Sequence, residues 1–185
     1  MTILNAKDSG PTEGGPSFSL ANRAQRAAWS LCWTILAAWT PPAFHPWRRL
    51  LLRLFGATLH PTAKIYASAR VWQPSNLEMG EHACLGPKAT CYSMAKITLG
   101  DHAVVSQGAH LCAGTHDIDD EHFQLVAKPI TLEAKSWIAA EAFVGPGVTI
   151  GEGAVLGARA VAFRDIEPWT VHIGNPASFF RNRMK

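Results

Sequence analysis

Residues 132–162 read LEAKSWIAAEAFVGPGVTIGEGAVLGARAVA. In this stretch Leu132, Ile138, Val144, Ile150, Leu156 and Ala162 recur at every sixth position. A spacing of six matches neither the 3.6-residue period of a helix nor the two-residue alternation of a plain strand. It is the period of a hexapeptide β-helix, in which each hexad supplies one short strand and one corner. The aliphatic residue points into a triangular prism. Three hexads close a coil, and the next coil stacks at the inter-strand distance of about 4.8 Å.

Working toward the N-terminus, shorter series extend the pattern: Ile65, Val71 and Leu77, then Met79, Leu85 and Cys91, then Leu99, Val105 and Leu111. Gly80, Gly100 and Gly151 each follow a core aliphatic and precede Glu81, Asp101 or Glu152, so one corner type repeats. Ala83, Ala103 and Ala154 sit near those corners, where bulk would not fit. The register slips by two residues between Cys91 and Leu99, which predicts a local bulge. It breaks again between Leu111 and Leu132, so residues 113–130 are expected to leave the prism as an excursion loop, a favoured place for function on a regular scaffold.

The flanks read differently. Residues 1–18 are rich in Gly, Pro, Ser and Thr and are expected to be a disordered tail. Residues 19–58 read as a helical N-terminal segment. One helix runs from about Leu20 to Trp39 and is ended by Pro41 and Pro42. A second starts at Pro46, and Trp47, Leu50, Leu51, Leu54 and Phe55 form one face of it, with Arg48, Arg49 and Arg53 off that face. The β-helix is assigned to 59–175 and a C-terminal tail to 176–185.

The chain has 185 residues, 48% of them hydrophobic and 17% charged, which suits one packed domain and excludes a wholly disordered protein. No carboxylate lies between Glu13 and Glu78, while Arg23, Arg26, Arg48, Arg49, Arg53, Lys64 and Arg70 do. This segment lacks the density of a nucleic-acid arm, so no nucleic-acid partner is expected. Two readings stand for it: a cap over the open end of the prism, or peripheral contact of residues 20–56 with an anionic membrane. Cys32, Cys84, Cys91 and Cys112 have no zinc-type spacing and read as small thiols in a reducing compartment. No cleavable signal is visible, and the expected location is cytoplasmic, with a peripheral position at the inner membrane face under the second reading.

His116 falls where the excursion departs, because Leu99 to Asp117 spans one coil. A histidine there suits a general base, although a plain loop histidine fits the local sequence equally. His82 and His102 occupy equivalent corners and are expected to stack on the outside. His110 precedes core Leu111 and should point outward. His110, His116 and His122 are spaced by six, but the last lies in the irregular loop, and no metal is expected.

The run from Asn76 to Arg183 resembles the hexapeptide-repeat acetyltransferases, and within them the WcaF-like colanic acid biosynthesis subgroup. The residues that carry this are 76–80 (NLEMG), Cys91-Tyr92, 105–112 (VSQGAHLC), His116-Asp117, 137–140 (WIAA), 146–151 (PGVTIG) and 174–177 (GNPA). Residues 50–57 (LLLRLFGA) look like that subgroup too. The resemblance implies a left-handed parallel β-helix, a homotrimer with active sites between subunits, and acetyl-CoA as co-substrate for acetylation of a sugar or lipid-linked sugar hydroxyl. It makes His116 the catalytic histidine. Trp137 matches an aromatic beside the pantetheine arm, and Ala140 and Ala158 match small positions where the backbone approaches that arm. Arg164 stands for the usual Lys near the CoA phosphates, Arg181 and Arg183 match basic residues after the Asn-Pro turn, and Phe163 replaces a Thr at the nucleotide end. Ser93 replaces an Asn implicated in holding the acceptor, and Asp117 is assigned to the acceptor side or to orienting the base. A zinc hydratase on the same fold and a non-catalytic β-helix scaffold are the competing readings.

Overall fold

A computed structural model describes residues 3–184; the first two residues of the expected tail and the last residue of the chain lie outside the described residues. The hexads fold into a left-handed parallel β-helix with three faces. The first face carries Thr58–Leu59, Leu77–Met79, Ile97–Leu99, Ile130–Leu132 and Thr149–Ile150. The second carries Lys64–Ile65, Cys84–Leu85, Val104–Val105, Trp137–Ile138, Val155–Leu156 and Thr170–Ile173. The third carries Arg70–Val71, Thr90–Tyr92, His110–Cys112, Phe143–Val144 and Val161–Ala162. Ile65, Leu85, Val105, Ile138 and Leu156 stack in register and are fully buried, as are Leu111, Val144 and Ile150 on the other faces. The core is therefore the set of aliphatics that the six-residue spacing singles out.

The slip between Cys91 and Leu99 is not an isolated bulge. Early coils are twenty residues long, pairing Thr58 with Glu78 and Glu78 with Thr98, whereas Thr131 pairs with Thr149 eighteen residues on. The extra residues enter at the corner between the third and first faces. First-face strands of these coils then bury two side chains each, Leu77 with Met79 and Ile97 with Leu99. The excursion leaves from this same corner. It is an ordered β-hairpin rather than an irregular loop, with Gly114–His116 antiparallel to Leu125–Ala127.

The outer edge of the first coil explains the N-terminal composition. The first coil donates to the second from His60 to Met79, Lys64 to Ala83, Tyr66 to Leu85, Arg70 to Ala89 and Trp72 to Cys91, and elsewhere bonds run back the other way, as from His102 to Glu81. On its outer side the first coil is a sheet edge whose carbonyls meet no strand. The helices α2 (Leu20–Leu36) and α3 (His45–Leu54) supply donors to it. Arg53 Nη2 reaches Leu59 O at 2.6 Å, Arg49 Nη1 reaches Ala63 O at 2.8 Å, and Arg48 Nε reaches Ile65 O at 2.6 Å. Trp33 Nε1 donates to Ala67 O and Trp29 Nε1 to Val71 O. Arginine and tryptophan are donor-only side chains, so the carboxylate-free composition matches the edge carbonyls that they cover.

The apolar stripe of α3 is split. Leu51 is buried with Arg48 and Leu52, and Phe55 packs on the core, while Trp47, Leu50 and Leu54 are exposed, as are Leu31 and Ile35 of α2 and Trp39 beyond its end. Arg48, Arg49 and Arg53 thus each donate to a carbonyl of the coil edge, which accords with the cap reading of this segment. Among the described residues no helix is long and apolar enough to cross a membrane.

Both expected tails are ordered where described. Residues 6–9 form the short helix α1 (Ala6–Ser9), Ile3 bridges Phe18, and Ala6 is buried. Gln124 holds this segment from the excursion hairpin, accepting from Ala6 N–H at 2.7 Å and donating to Leu4 O. At the other end Ser178–Asn182 pairs antiparallel with Thr170–Ile173, extending the second face. Gly and Pro in these stretches shape turns that pack against the solenoid instead of preventing order.

Candidate active site

The hairpin places His116 beside its own turn. His116 Nδ1 lies 2.8 Å from Phe123 O. A carbonyl only accepts, so Nδ1 carries the proton and Nε2 keeps the lone pair of the neutral ring. Asp117 Oδ1 accepts from Asp119 N–H and its N–H donates to Gln124 O, an Asx turn that shapes the hairpin tip, and the partner on His116 Nδ1 is the Phe123 carbonyl. Asp120 likewise accepts from the N–H groups of His122 and Gln124.

His116 lines a cavity of about 430 Å³ together with Arg23, Arg26, Tyr92, Met94 and Leu125. Its remaining wall is the ordered stretch Gly14–Phe18. Ser93 is absent from this lining. It is fully buried, its Oγ accepting from Gln73 N–H and donating to Gln73 O, whereas its neighbours Tyr92 and Met94 line the cavity. The N-terminal wall and the two arginines were not read as site residues from the sequence. Their one signal was positive charge without carboxylates.

An aromatic ladder supports the cavity floor: Phe18 against Trp72, Trp72 against Tyr92, Tyr92 against His110 and His110 against Phe143. His110 does point outward, but between rings. Burial pulls its pKa below the usual histidine value, and its Nε2 has no hydrogen-bond partner among the described residues. His82 and His102 stack on the outside at 5.2 Å, as the corner pattern predicts.

The residues assigned to the co-substrate occupy other parts of the solenoid. Trp137, on the second face, is 44% exposed, and its Nε1 donates to Ser106 Oγ at 2.8 Å. It borders a cavity of about 560 Å³ with His102, Lys135, Trp169 and Arg183. Arg183, rather than Arg181, is anchored there, donating to Lys135 O and Gly153 O. Arg181 is exposed and donates to the adjacent Asn182 O. Ala140 and Ala158 stack at one corner in successive coils, where Arg159 N–H donates to Ala140 O. Phe163 and Arg164 line a separate cavity of about 490 Å³ with His172 and Phe179, and Phe163 packs on Phe143. No one of these cavities brings His116 and Trp137 together.

The chain is 41% identical over 158 residues to a WcaF protein of Escherichia coli (strain K12) whose name places it among the colanic acid biosynthesis acetyltransferases; the match covers 84% of this chain and 87% of that one. The chain belongs to the WcaF-like hexapeptide-repeat acetyltransferases. A galactoside O-acetyltransferase of E. coli is a more distant relative, 26% identical over 72% of this chain and 68% of its own length. Among solved structures, the WcaF-like chain is similar to a hexapeptide-repeat acetyltransferase of Vibrio cholerae complexed with acetyl-CoA. That match has a TM-score of 0.79 and 24% identity, and covers 92% of this chain and 93% of that one. A galactoside acetyltransferase in complex with coenzyme A gives the same TM-score at 22% identity, covering 91% and 85%. At these identities the structural matches speak for the fold. No family model matches the chain.

Proposed function

We propose that this WcaF-like acetyltransferase transfers the acetyl group of acetyl-CoA to a sugar hydroxyl of an exopolysaccharide precursor, with His116 as general base. The observation that carries the reading is the Nδ1–Phe123 carbonyl bond, which leaves Nε2 free beside a cavity of sugar-binding size. Acetyl-CoA supplies the activated thioester carbonyl when bound. Nε2 takes the hydroxyl proton as the acceptor oxygen attacks, and the imidazolium returns it to the departing sulfur. The small Ala140–Ala158 corner and the exposed indole of Trp137 fit a pantetheine arm, and Arg164, Arg181 and Arg183 fit phosphates. Phe163 is assigned to the nucleotide end. Because His116 and Trp137 line different cavities of one chain, the reading includes a homotrimer in which one chain's base meets its neighbour's co-substrate groove. Membrane contact through residues 20–56 would draw on the exposed apolar side chains Leu31, Ile35, Trp39, Trp47, Leu50 and Leu54 beside the exposed charge of Arg23. It fits a lipid-linked acceptor, and flotation with liposomes tests it.

The deciding experiment is free-thiol release from acetyl-CoA over a panel of free, nucleotide-linked and lipid-linked sugars, with wild type and His116→Ala. Acceptor-dependent release that falls by about 10²–10⁴-fold in the variant is the expected result. Near-normal turnover in His116→Ala overturns the assignment of the base. Sedimentation velocity reads the trimer.

A further inference from the structure

We propose that the His116 cavity selects an acceptor carrying an anionic group, a carboxylate or a phosphate ester, and that Arg23 and Arg26 clamp that group. The proposal rests on the acyl-transfer reading for what the cavity holds, and on separate observations for the charge of its occupant.

The first observation is an uncompensated charge. Two guanidiniums line the cavity and no carboxylate does. Among the described residues neither Arg23 nor Arg26 takes part in an ion pair, although exposed Lys96, Lys135 and Arg159 all do. The other arginines of the acid-poor segment that lie on α3 are occupied by carbonyls of the first coil. Arg23 and Arg26, on α2, have no such duty.

The second observation is preorganisation. Arg26 lies over two rings, its guanidinium carbon 4.3 Å from the Trp72 ring centroid and 5.3 Å from that of Phe18. Its Nε donates to Asn22 Oδ1 at 2.9 Å, which fixes the plane from one edge. The Nη groups have no hydrogen-bond partner among the described residues. A planar fork held over aromatic rings and anchored at Nε presents its other edge for two parallel hydrogen bonds, the geometry that matches a carboxylate or a phosphate. The cost of holding this arrangement empty is visible too. Partial burial, and to a smaller degree the neighbouring Arg23 charge, disfavour the charged form of Arg26, partly offset by Tyr92. Two like charges facing one half-closed cavity are relieved when an anion enters.

The third observation is placement. The base and the clamp share one wall-to-wall space of about 430 Å³, within the range of small-ligand sites. An acceptor that set its charged group on Arg26 would sit beside His116 with its hydroxyls. The ordered N-terminal stretch Gly14–Phe18 forms part of the wall, and Gln124 of the hairpin holds the segment just before it. Neutral sugars lack the group that would use the fork.

The test separates charge recognition from catalysis. Binding of a methyl hexoside, the matching methyl hexuronide and the matching hexose phosphate is measured by calorimetry on the full chain, for wild type, Arg23→Gln, Arg26→Gln and Arg26→Lys. Arg23 is exposed, so its variant stays informative if the Arg26 variants fail to fold. The expected result is that one or both charged ligands bind at least about 10-fold tighter than the neutral one. Arg26→Gln should then reduce that preference by about 10- to 100-fold, the range for charge-assisted hydrogen bonds. Arg26→Lys should restore only part, because an ammonium lacks the fork. The uronide and phosphate arms identify which anion is read. Equal binding of charged and neutral ligands, no binding of any, or a preference that persists in both Gln variants overturns the proposal. Transfer assays with the same ligands address the acyl-transfer reading separately: absence of thiol release alongside Arg-dependent anion binding would sink that reading while leaving the clamp standing.

Discussion

The imidazole of His116 and the ring of Phe123 lie parallel, 11° apart in plane and 4.2 Å between centroids. One residue therefore holds the histidine twice, with its carbonyl on Nδ1 and its ring on the imidazole face. No acidic partner is needed for this, and Asp117 is engaged elsewhere. Phe123 has φ +54°, so the hairpin tip is bent into the left-handed region to bring both groups round. Phe123→Ala keeps the carbonyl and removes the ring. The expected outcome is a fall in kcat of about 2- to 10-fold, the equivalent of one lost ring contact, with little change in melting temperature. Steady-state kinetics beside a thermal melt checks both halves.

Arg48 is completely buried without a carboxylate partner. Its charge is dispersed over Ile65 O, Pro41 O, Pro42 O and Thr40 Oγ1, at 2.6 to 2.9 Å. Arg48→Met fills similar volume but strands those acceptors. A loss of about 2–4 kcal/mol is expected, seen as a drop of roughly 5–15 °C in melting temperature for a chain of this size. Arg48→Lys should recover a minority of it. A melt unchanged by Arg48→Met would contradict the account of the coil edge.

His110, His45 and His172 are all held below the ordinary histidine value of 6.5, with burial as the first cause in each. Their folded-state pKa values lie below those of the unfolded chain. As pH falls through 6.5, the unfolded state takes up protons first, so stability present above that pH is lost on acidification. Denaturant midpoints should decline between pH 7 and pH 5. The decline should be shallower in His110→Phe, which keeps the aromatic ladder and has nothing to protonate.

A Cβ on Gly100 would lie 2.8 Å from Ala134 N and 2.9 Å from Glu133 C, both backbone atoms of the next coil. Neither neighbour can swing away as a side chain would. Gly100→Ala should cost about 1–3 kcal/mol through forced separation of the coils. An equilibrium unfolding curve reads this directly.

The core was legible because a stacked coil repeats its constraint: every inward position meets the same prism, so aliphatics recur at fixed spacing. His116 was legible through the motif around it and the place where the period breaks. The acceptor side was not. Arg23 and Arg26 reach the cavity because residues 3–18 fold against a hairpin more than a hundred positions away, and Gly-Pro-rich composition carries no trace of such a contact. The split stripe of α3 misleads for a related reason. Helical periodicity separates two faces but does not say how much of each is buried, and here a carbonyl edge drew Arg48 inward. Ser93 looked like a ligand because of its position in a motif, yet its hydroxyl closes a bond pair with Gln73.

Both ends of the solenoid are sheet edges. Bonds run from each coil to the next, as from Lys64 N–H to Ala83 O, and back again, as from His102 N–H to Glu81 O, so a bare end would offer both donors and acceptors, and bare ends of two molecules would be complementary. Such a body stripped of its terminal elements is a monomer for polymerisation, adding copies end to end at the spacing of its own coils. The arginines and tryptophans at one pole, and the antiparallel strand Ser178–Asn182 near the other, act as chain terminators. They keep the molecule a finite particle, with only its flanks left for association.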